Sequence, residues 1–293
     1  MTGAAAGALS ETGPIVELVL KHAHEAFGDQ TRIDREWEAL GYTARPDFER
    51  AVDEYAAFVD LLQPMGLRLR CLPDAPGTAL DSIYVRDASI VSPAGLVLCA
   101  MGKPARAAEP AAQARAFREW GIPVAGAIEP PGCLEGGDVV WLDDRTVVVG
   151  RGYRTNDEGI RQFRAVLGDG VDCLVVHLPH WRGPGDVFHL MSVASPVDAD
   201  LAVVYSPLMP VPLRERLLER GGSLVEVPDA EFASMGANVL AVAPRRCVMV
   251  DGNPVTRARL EAAGADVRVY AGREISLKGG GGPTCLTRPI RRT

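Results

Sequence analysis

The 293-residue sequence has no apolar run approaching the length needed to span a bilayer, and its opening residues Met1 to Leu9 lack the basic stretch that begins a secretory signal. It is also short of positive charge: 31 Lys and Arg against 38 Asp and Glu leave a formal net charge of −7. A protein whose affinity comes from neutralising phosphates normally carries a basic face, so nucleic acid is not expected as a partner. These absences lead to the expectation of a soluble, cytoplasmic protein with no membrane partner. Metal signatures are lacking as well. Six cysteines, Cys71, Cys99, Cys133, Cys173, Cys247 and Cys285, stand singly with no CxxC spacing, and so read as reduced thiols. The five histidines form no HExxH pattern, and the one close pair, His177 and His180, has Pro179 between its members and no carboxylate cluster nearby. No metal is expected.

What the chain does have is apolar content, 47% hydrophobic with 24% charged, enough to bury a large core. Residues 1–13, small and polar, are expected to form a mobile tail. A first strand is expected over 14–20 from its β-branched content. A helix is expected over about 47–64, where Phe48, Val52, Tyr55, Phe58, Val59 and Leu62 recur at three- and four-residue steps, and a half-buried strand over 67–72, where apolar and basic residues alternate. A strand pair, a helix and a returning strand then recur. The strand pairs are expected at 82–91 with 95–100, 138–142 with 146–149, 192–194 with 201–204, and 239–242 with 247–250. Helices follow at 111–120, 156–167, 213–219 and 255–263. Spacing of roughly 45 to 55 residues per unit implies an array or a propeller. The repeat is one of pattern, without self-similarity of sequence.

Four segments between these elements carry chemistry. In Asp81-Ser82-Ile83-Tyr84-Val85-Arg86-Asp87, strand periodicity would put Asp81, Ile83, Val85 and Asp87 on one face, where two carboxylates need a cationic partner. Glu135-Gly136-Gly137-Asp138 places a carboxylate at a glycine bend before an apolar strand, although the bare pattern is only a turn. Phe188-His189-Leu190 puts a histidine in an apolar run, as in many satisfied cores. Finally Lys278-Gly279-Gly280-Gly281-Gly282-Pro283-Thr284-Cys285 joins a backbone freed for close approach to a proline and a thiol; the plain alternative is a flexible tail with an inert cysteine. A phosphate loop at Lys278 to Gly282 fails because too few residues follow for the helix that would cradle the phosphate. A cysteine nucleophile needs a base that a carboxylate orients, and Cys285, His189 and Glu135 fill those roles if the fold brings them together.

In this order, with the cysteine near the terminus, the four segments resemble the guanidino-group-modifying superfamily, which includes dimethylarginine dimethylaminohydrolase, arginine deiminase and the amidinotransferases; the resemblance runs from about Pro14 onward and is nearest to dimethylarginine dimethylaminohydrolase. It implies a pentein fold, a five-bladed α/β propeller of ββαβ units around a central active-site funnel, as one catalytic domain over residues 14–293. It implies that Cys285 attacks the guanidinium carbon to form a thiouronium adduct, that His189 protonates the leaving amine and then activates water, and that Glu135 holds the substrate nitrogens and assists His189. Asp87 would clamp the guanidinium, whose planar fork matches a carboxylate. Asp81 would meet the α-amino group, and Arg106 and Arg154 the α-carboxylate. No cofactor is implied, the partner is a small-molecule guanidino substrate, and a homodimer is allowed.

Two departures qualify the resemblance. Arginine deiminases carry an aspartate two residues after the histidine, where this chain has Met191; an apolar wall there would suit an N-alkylated guanidine. Arg86 stands where many dimethylaminohydrolases have an acid, and the ending Gly-Gly-Pro-Thr-Cys-Leu-Thr-Arg-Pro looks closer to the deiminase and amidinotransferase style. The expected activity is hydrolysis of a substituted arginine to citrulline and an amine. The alternatives are an arginine deiminase, an amidinotransferase, or a non-catalytic binding module that keeps the funnel.

Overall fold

The computed structural model describes residues 9–183 and 188–293. Among the described residues, fifteen strands form five three-stranded sheets. Four sheets repeat one plan, in which two strands pair antiparallel, a helix crosses over, and a third strand returns parallel to the second. They comprise β3 (Ser89–Ser92), β4 (Gly95–Leu98) and β5 (Val124–Ala127); β6 (Val139–Asp143), β7 (Thr146–Arg151) and β8 (Asp172–His177); β9 (Ala194–Asp198), β10 (Leu201–Val204) and β11 (Ser223–Glu226); and β12 (Leu240–Ala243), β13 (Arg246–Val250) and β14 (Asp266–Tyr270). The fifth sheet joins the chain's two ends. Strand β15 (Thr287–Arg292) pairs antiparallel with β1 (Ile15–Leu20), which pairs in parallel with β2 (Arg68–Cys71). These are the five ββαβ units of the pentein architecture.

The crossover helices form for local reasons that also fix the loops beside them. In Phe48–Leu62 the buried Ala51, Tyr55, Phe58 and Leu62 make an inward stripe, and the Asp47 side chain caps the N-terminus by accepting from Arg50 N at 3.0 Å. In Asp157–Leu167 the cap is Asn156, whose Oδ1 accepts from Gly159 N at 2.8 Å and from Cys133 N at 3.0 Å. Its amide donates to Pro131 O, so one side chain ends the helix and pins the loop that leads to Glu135.

Three expectations change. The stretch from Asp81 to Asp87 is not a strand face: Leu80–Ile83 is a 3₁₀ turn and irregular backbone follows, because Arg106 and Lys103 hold these carboxylates at separate points. Residues 1–8 lie outside the described residues, but 9–13 pack down. Leu9, Glu11 and Thr12 are buried, and Glu11 N donates to Trp141 O at 3.0 Å. Closing the first sheet with β15 was not foreseen, since its Arg-Pro content hides a strand flanked by buried charge.

Replacing the capping Asn156 with alanine removes the helix cap and two loop bonds together. It should cost about 1–2 kcal/mol of stability in urea unfolding, and a loss below a few tenths would refute the shared-anchor account.

Candidate active site

Each unit contributes one side chain from the residues just before its first strand. Asp87 precedes β3, Glu135 precedes β6, His189 precedes β9, Asn238 precedes β12 and Cys285 precedes β15. Hydrogen bonds tie neighbouring loops in a closed ring. Gly136 N donates to Asp87 O at 2.9 Å, and Leu190 N donates to Asp138 Oδ1 at 2.9 Å. Ser195 Oγ donates to Ala237 O at 2.7 Å and accepts from Val239 N at 3.1 Å. Asn238 Oδ1 accepts from Thr284 N at 3.0 Å, and Arg86 N donates to Cys285 O at 3.2 Å.

Inside this ring His189 Nε2 lies 2.8 Å from Glu135 Oε2, and His189 Nδ1 lies 3.6 Å from Asp87 Oδ1. Glu135 Oε1 also accepts from Gly102 N and Arg154 Nε, each at 2.8 Å, and its Oε2 pairs with Arg154 Nη2 at 2.7 Å. Asp87 is 2% exposed; its Oδ2 binds Arg106 Nη1 at 2.6 Å while Oδ1 accepts no hydrogen bond. The Cys285 thiol is 9% exposed, with Asn238 Nδ2 at 3.6 Å and Thr284 Oγ1 at 3.8 Å from Sγ.

The glycines are explained by these approaches. A Cβ at Gly137 would lie 2.5 Å from His189 Nδ1 and 2.7 Å from Asp87 Oδ1. Around the tail, Cβ atoms at Gly279 and Gly281 would run into the Tyr84 ring and one at Gly282 into the Asn238 amide. The glycine run is therefore a packed turn against Tyr84 and Tyr42, not a loose tail.

Charge is balanced unevenly. Burial alone would depress the His189 imidazole, but the carboxylates of Asp87, Asp138 and Glu135 reverse this and raise it to about 9. Burial works against ionisation of Glu135 and Asp87, yet His189 with Arg154 and Arg106 keeps both below the ordinary carboxylate range. The Cys285 thiol is pushed up, first by burial and then by the Asp87 charge, with Thr284, Arg86 and Asn238 offsetting only part. Asp138 is raised to about 6 by burial; it bonds Thr155 Oγ1 and Leu190 N and so positions the histidine loop without facing the ring itself.

Ligand atoms of Asp87, Glu135 and His189 lie within 4.8 Å of one another and could hold a divalent cation. Both carboxylates, however, already have guanidinium partners, and a metal would have to displace the proton of an imidazole that stays charged to about pH 9.

Of the residues expected from sequence, Cys285, His189, Glu135 and Asp87 come together. Arg106 does not sit as a free carboxylate receptor: it is 3% exposed, with donors on Asp87 Oδ2, both oxygens of Glu109, Tyr84 O and Asp81 O. It is the cation that a buried Asp87 requires. Arg154 is spent on Glu135, and Asp81 pairs with Lys103 Nζ at 2.6 Å. Met191 is 2% exposed within the core cluster around β9 and β10, so it lies in the core and does not line the site as an open apolar wall. Asn238 was missed. Its signal was positional, since it stands two residues before its strand as Asp87 and Cys285 do, in the short stretch before the first strand that also carries Glu135 and His189.

The residues 27–292 match the family model described as N,N dimethylarginine dimethylhydrolase, eukaryotic. A dimethylarginine dimethylaminohydrolase of Streptomyces coelicolor is 30% identical over 270 residues, covering 91% of this chain and 93% of the relative. Among solved structures, a dimethylarginine dimethylaminohydrolase from Pseudomonas aeruginosa, a cysteine-to-serine mutant complexed with citrulline, superposes with a TM-score of 0.76 at 22% identity, over 96% of this chain and 100% of that one. The amidinotransferase SxtG of Microseira wollei gives 0.79 at 16% identity, over 98% and 97%.

Because the folded pKa of His189 lies above its ordinary 6.5, its ion pairs contribute stability that is fully present below pH 6.5 and is lost as pH rises through about 9. The slope of unfolding free energy between those limits should flatten in His189→Gln, as read by urea titrations at stepped pH. An unchanged slope would remove the imidazolium from the account.

Proposed function

Since this chain belongs to the dimethylarginine dimethylaminohydrolase family, we propose that it is a guanidino-group hydrolase that converts an N-methylated arginine to citrulline and a methylated amine through a thiouronium on Cys285. The observation that carries this reading is Asp87 Oδ1, a buried anionic acceptor without a hydrogen bond, beside His189 and close enough to Cys285 for its charge to raise the thiol. A cation with an N–H group to donate to that one oxygen is the ligand it calls for.

Docking a guanidinium on Asp87 cancels the charge that holds the Cys285 proton, which passes to solvent water as the substrate binds and is regained when the thiolate is released, so the substrate helps to generate the thiolate that attacks it. The thiolate adds to the guanidinium carbon. The His189 imidazolium, held by Glu135, gives its proton to the departing nitrogen, and the carbon–nitrogen bond breaks to leave an S-alkylthiouronium and a free amine. Neutral His189 then takes a proton from water, the hydroxide adds to the same carbon, and the thiolate leaves with the ureido product formed. The Asp81–Lys103 pair is assigned to the zwitterionic end of the amino acid, in place of Arg106. The preference for methylated substrate rests on the family and on the Streptomyces relative, because Met191 is turned into the core.

Incubation with asymmetric dimethylarginine in water, with no acceptor amine added, should yield citrulline and dimethylamine in equal amounts. Product that appears only with an added amine would replace the hydrolase reading with a transferase. Cys285→Ser should lower turnover by about 10⁴-fold or more, and wild-type protein quenched in acid should carry an adduct on Cys285 by intact mass. The thiol limb of kcat should lie at lower pH than that of kcat/KM, because bound substrate neutralises Asp87. Coincident limbs would sink the substrate-assisted step.

A further inference from the structure

Beneath the Cys285 turn lies a second concentration of charge that the reaction does not use. Arg86, Arg288 and Arg292 are 0%, 3% and 4% exposed, and the carboxylate that faces them is Glu11, with Arg86 Nη1 at 3.3 Å from both its oxygens and Arg292 Nη2 at 3.9 Å. Their remaining bonds go to uncharged carbonyls: Arg86 Nε to Thr284 O at 2.8 Å, Arg288 Nη2 to Arg86 O at 2.5 Å, and Arg292 Nη1 to Ala241 O at 3.0 Å and Gly13 O at 2.5 Å. Guanidinium groups stay protonated in proteins, so three positive charges share one ion-paired carboxylate, Glu11, with the more distant Asp87 acting on Arg288, out of reach of bulk water. Each arginine also keeps one buried nitrogen, Arg86 Nη2, Arg288 Nε and Arg292 Nη2, for which no hydrogen-bond acceptor stands among the described residues. All three side chains, with Glu11 and Ser10, line one small pocket of about 20 Å³ beside the packed residues 9–11, room for a single water-sized occupant.

We propose that this pocket is a binding site for a small inorganic anion of the halide class, held by the three unpaired guanidinium nitrogens of Arg86, Arg288 and Arg292. A spherical monovalent anion can accept from donors that converge from several directions, and it lowers the excess buried charge without requiring a second carboxylate from the chain. Arg86 connects the site to the catalytic turn, since its side chain holds Thr284 O and its backbone N–H holds Cys285 O. Filling the pocket therefore fixes the backbone that presents the thiol. Glu11 is the group against which the anion competes, because it is the like charge nearest to it.

The test uses the full chain and does not depend on turnover. Thermal unfolding midpoints are measured in sodium chloride and in sodium gluconate at equal ionic strength, with bromide-soaked crystals examined for anomalous scattering. The midpoint should rise with chloride along a saturating curve and not with gluconate, and a bromide peak should sit within contact distance of the three guanidinium groups. Glu11→Gln removes the competing charge and should lower the half-saturating chloride concentration by about tenfold or more. Arg288→Met should raise it by a similar factor; should that variant not fold, Glu11→Gln alone decides. Equal midpoints in the two salts, no bromide peak at the cluster, or a half-saturation unmoved by Glu11→Gln would each overturn the proposal and leave the guanidinium groups to water.

Discussion

The geometry of the candidate site depends on a ring that closes. Five loops, one before the first strand of each unit, are each bonded to the next, and the last bond, from Arg86 N to Cys285 O, joins the terminal turn to the first internal unit. A thiol eight residues from the chain's end is held only because β15 completes the sheet begun by β1. Long-range strand pairing and active-site assembly are thus the same event, and its loop-closure entropy is borne once for both. Loosening either should be felt at the sulfur.

Within that ring the chain keeps carboxylates charged by placing cations behind them. Arg106 stands behind Asp87 and Arg154 behind Glu135, so the oxygens turned to the centre remain ionised despite burial. The imidazole between them is consequently charged, as the proposed role of donating a proton first and accepting one later requires. The thiol receives the opposite treatment: its strongest charged neighbour is anionic and its hydrogen-bond donors are a neutral amide and a hydroxyl. In the role proposed for it, such a thiol would stay protonated and unreactive until a cation enters, which would protect it from indiscriminate alkylation and oxidation.

The sequence made the repeat legible because strands and crossover helices differ sharply in apolar period; 201–204 coincides with its strand residue for residue. It also made the chemical residues legible wherever they fell in compact motifs. What it concealed were partners supplied by the fold. Arg106 looked like a surface arginine suited to a ligand's carboxylate, and only the approach of Asp87 and Glu109 shows that its guanidinium is committed inside the protein. Asp81 and Asp87 seemed to alternate along a strand, but binding two separate cations overrode β propensity there. Asn238 carries no local motif at all. Superimposing the units by their strand starts, in place of searching for motifs, would have exposed it.

The glycines illustrate how far a local reading can go. Four in a row permit close approach, and the tail does use that freedom, yet the groups that approach are the rings of Tyr84 and Tyr42 and the amide of Asn238. Gly137 serves the same end for His189 and Asp87. At both places a missing Cβ lets a rigid group stand where a substituted backbone would have pushed it away, so conformational freedom in the unfolded chain is exchanged for fixed positions in the folded one. Since rigidity at the thiol then comes from packing and not from the turn itself, enlarging the surrounding side chains would disturb Cys285 as surely as altering its own neighbours in sequence.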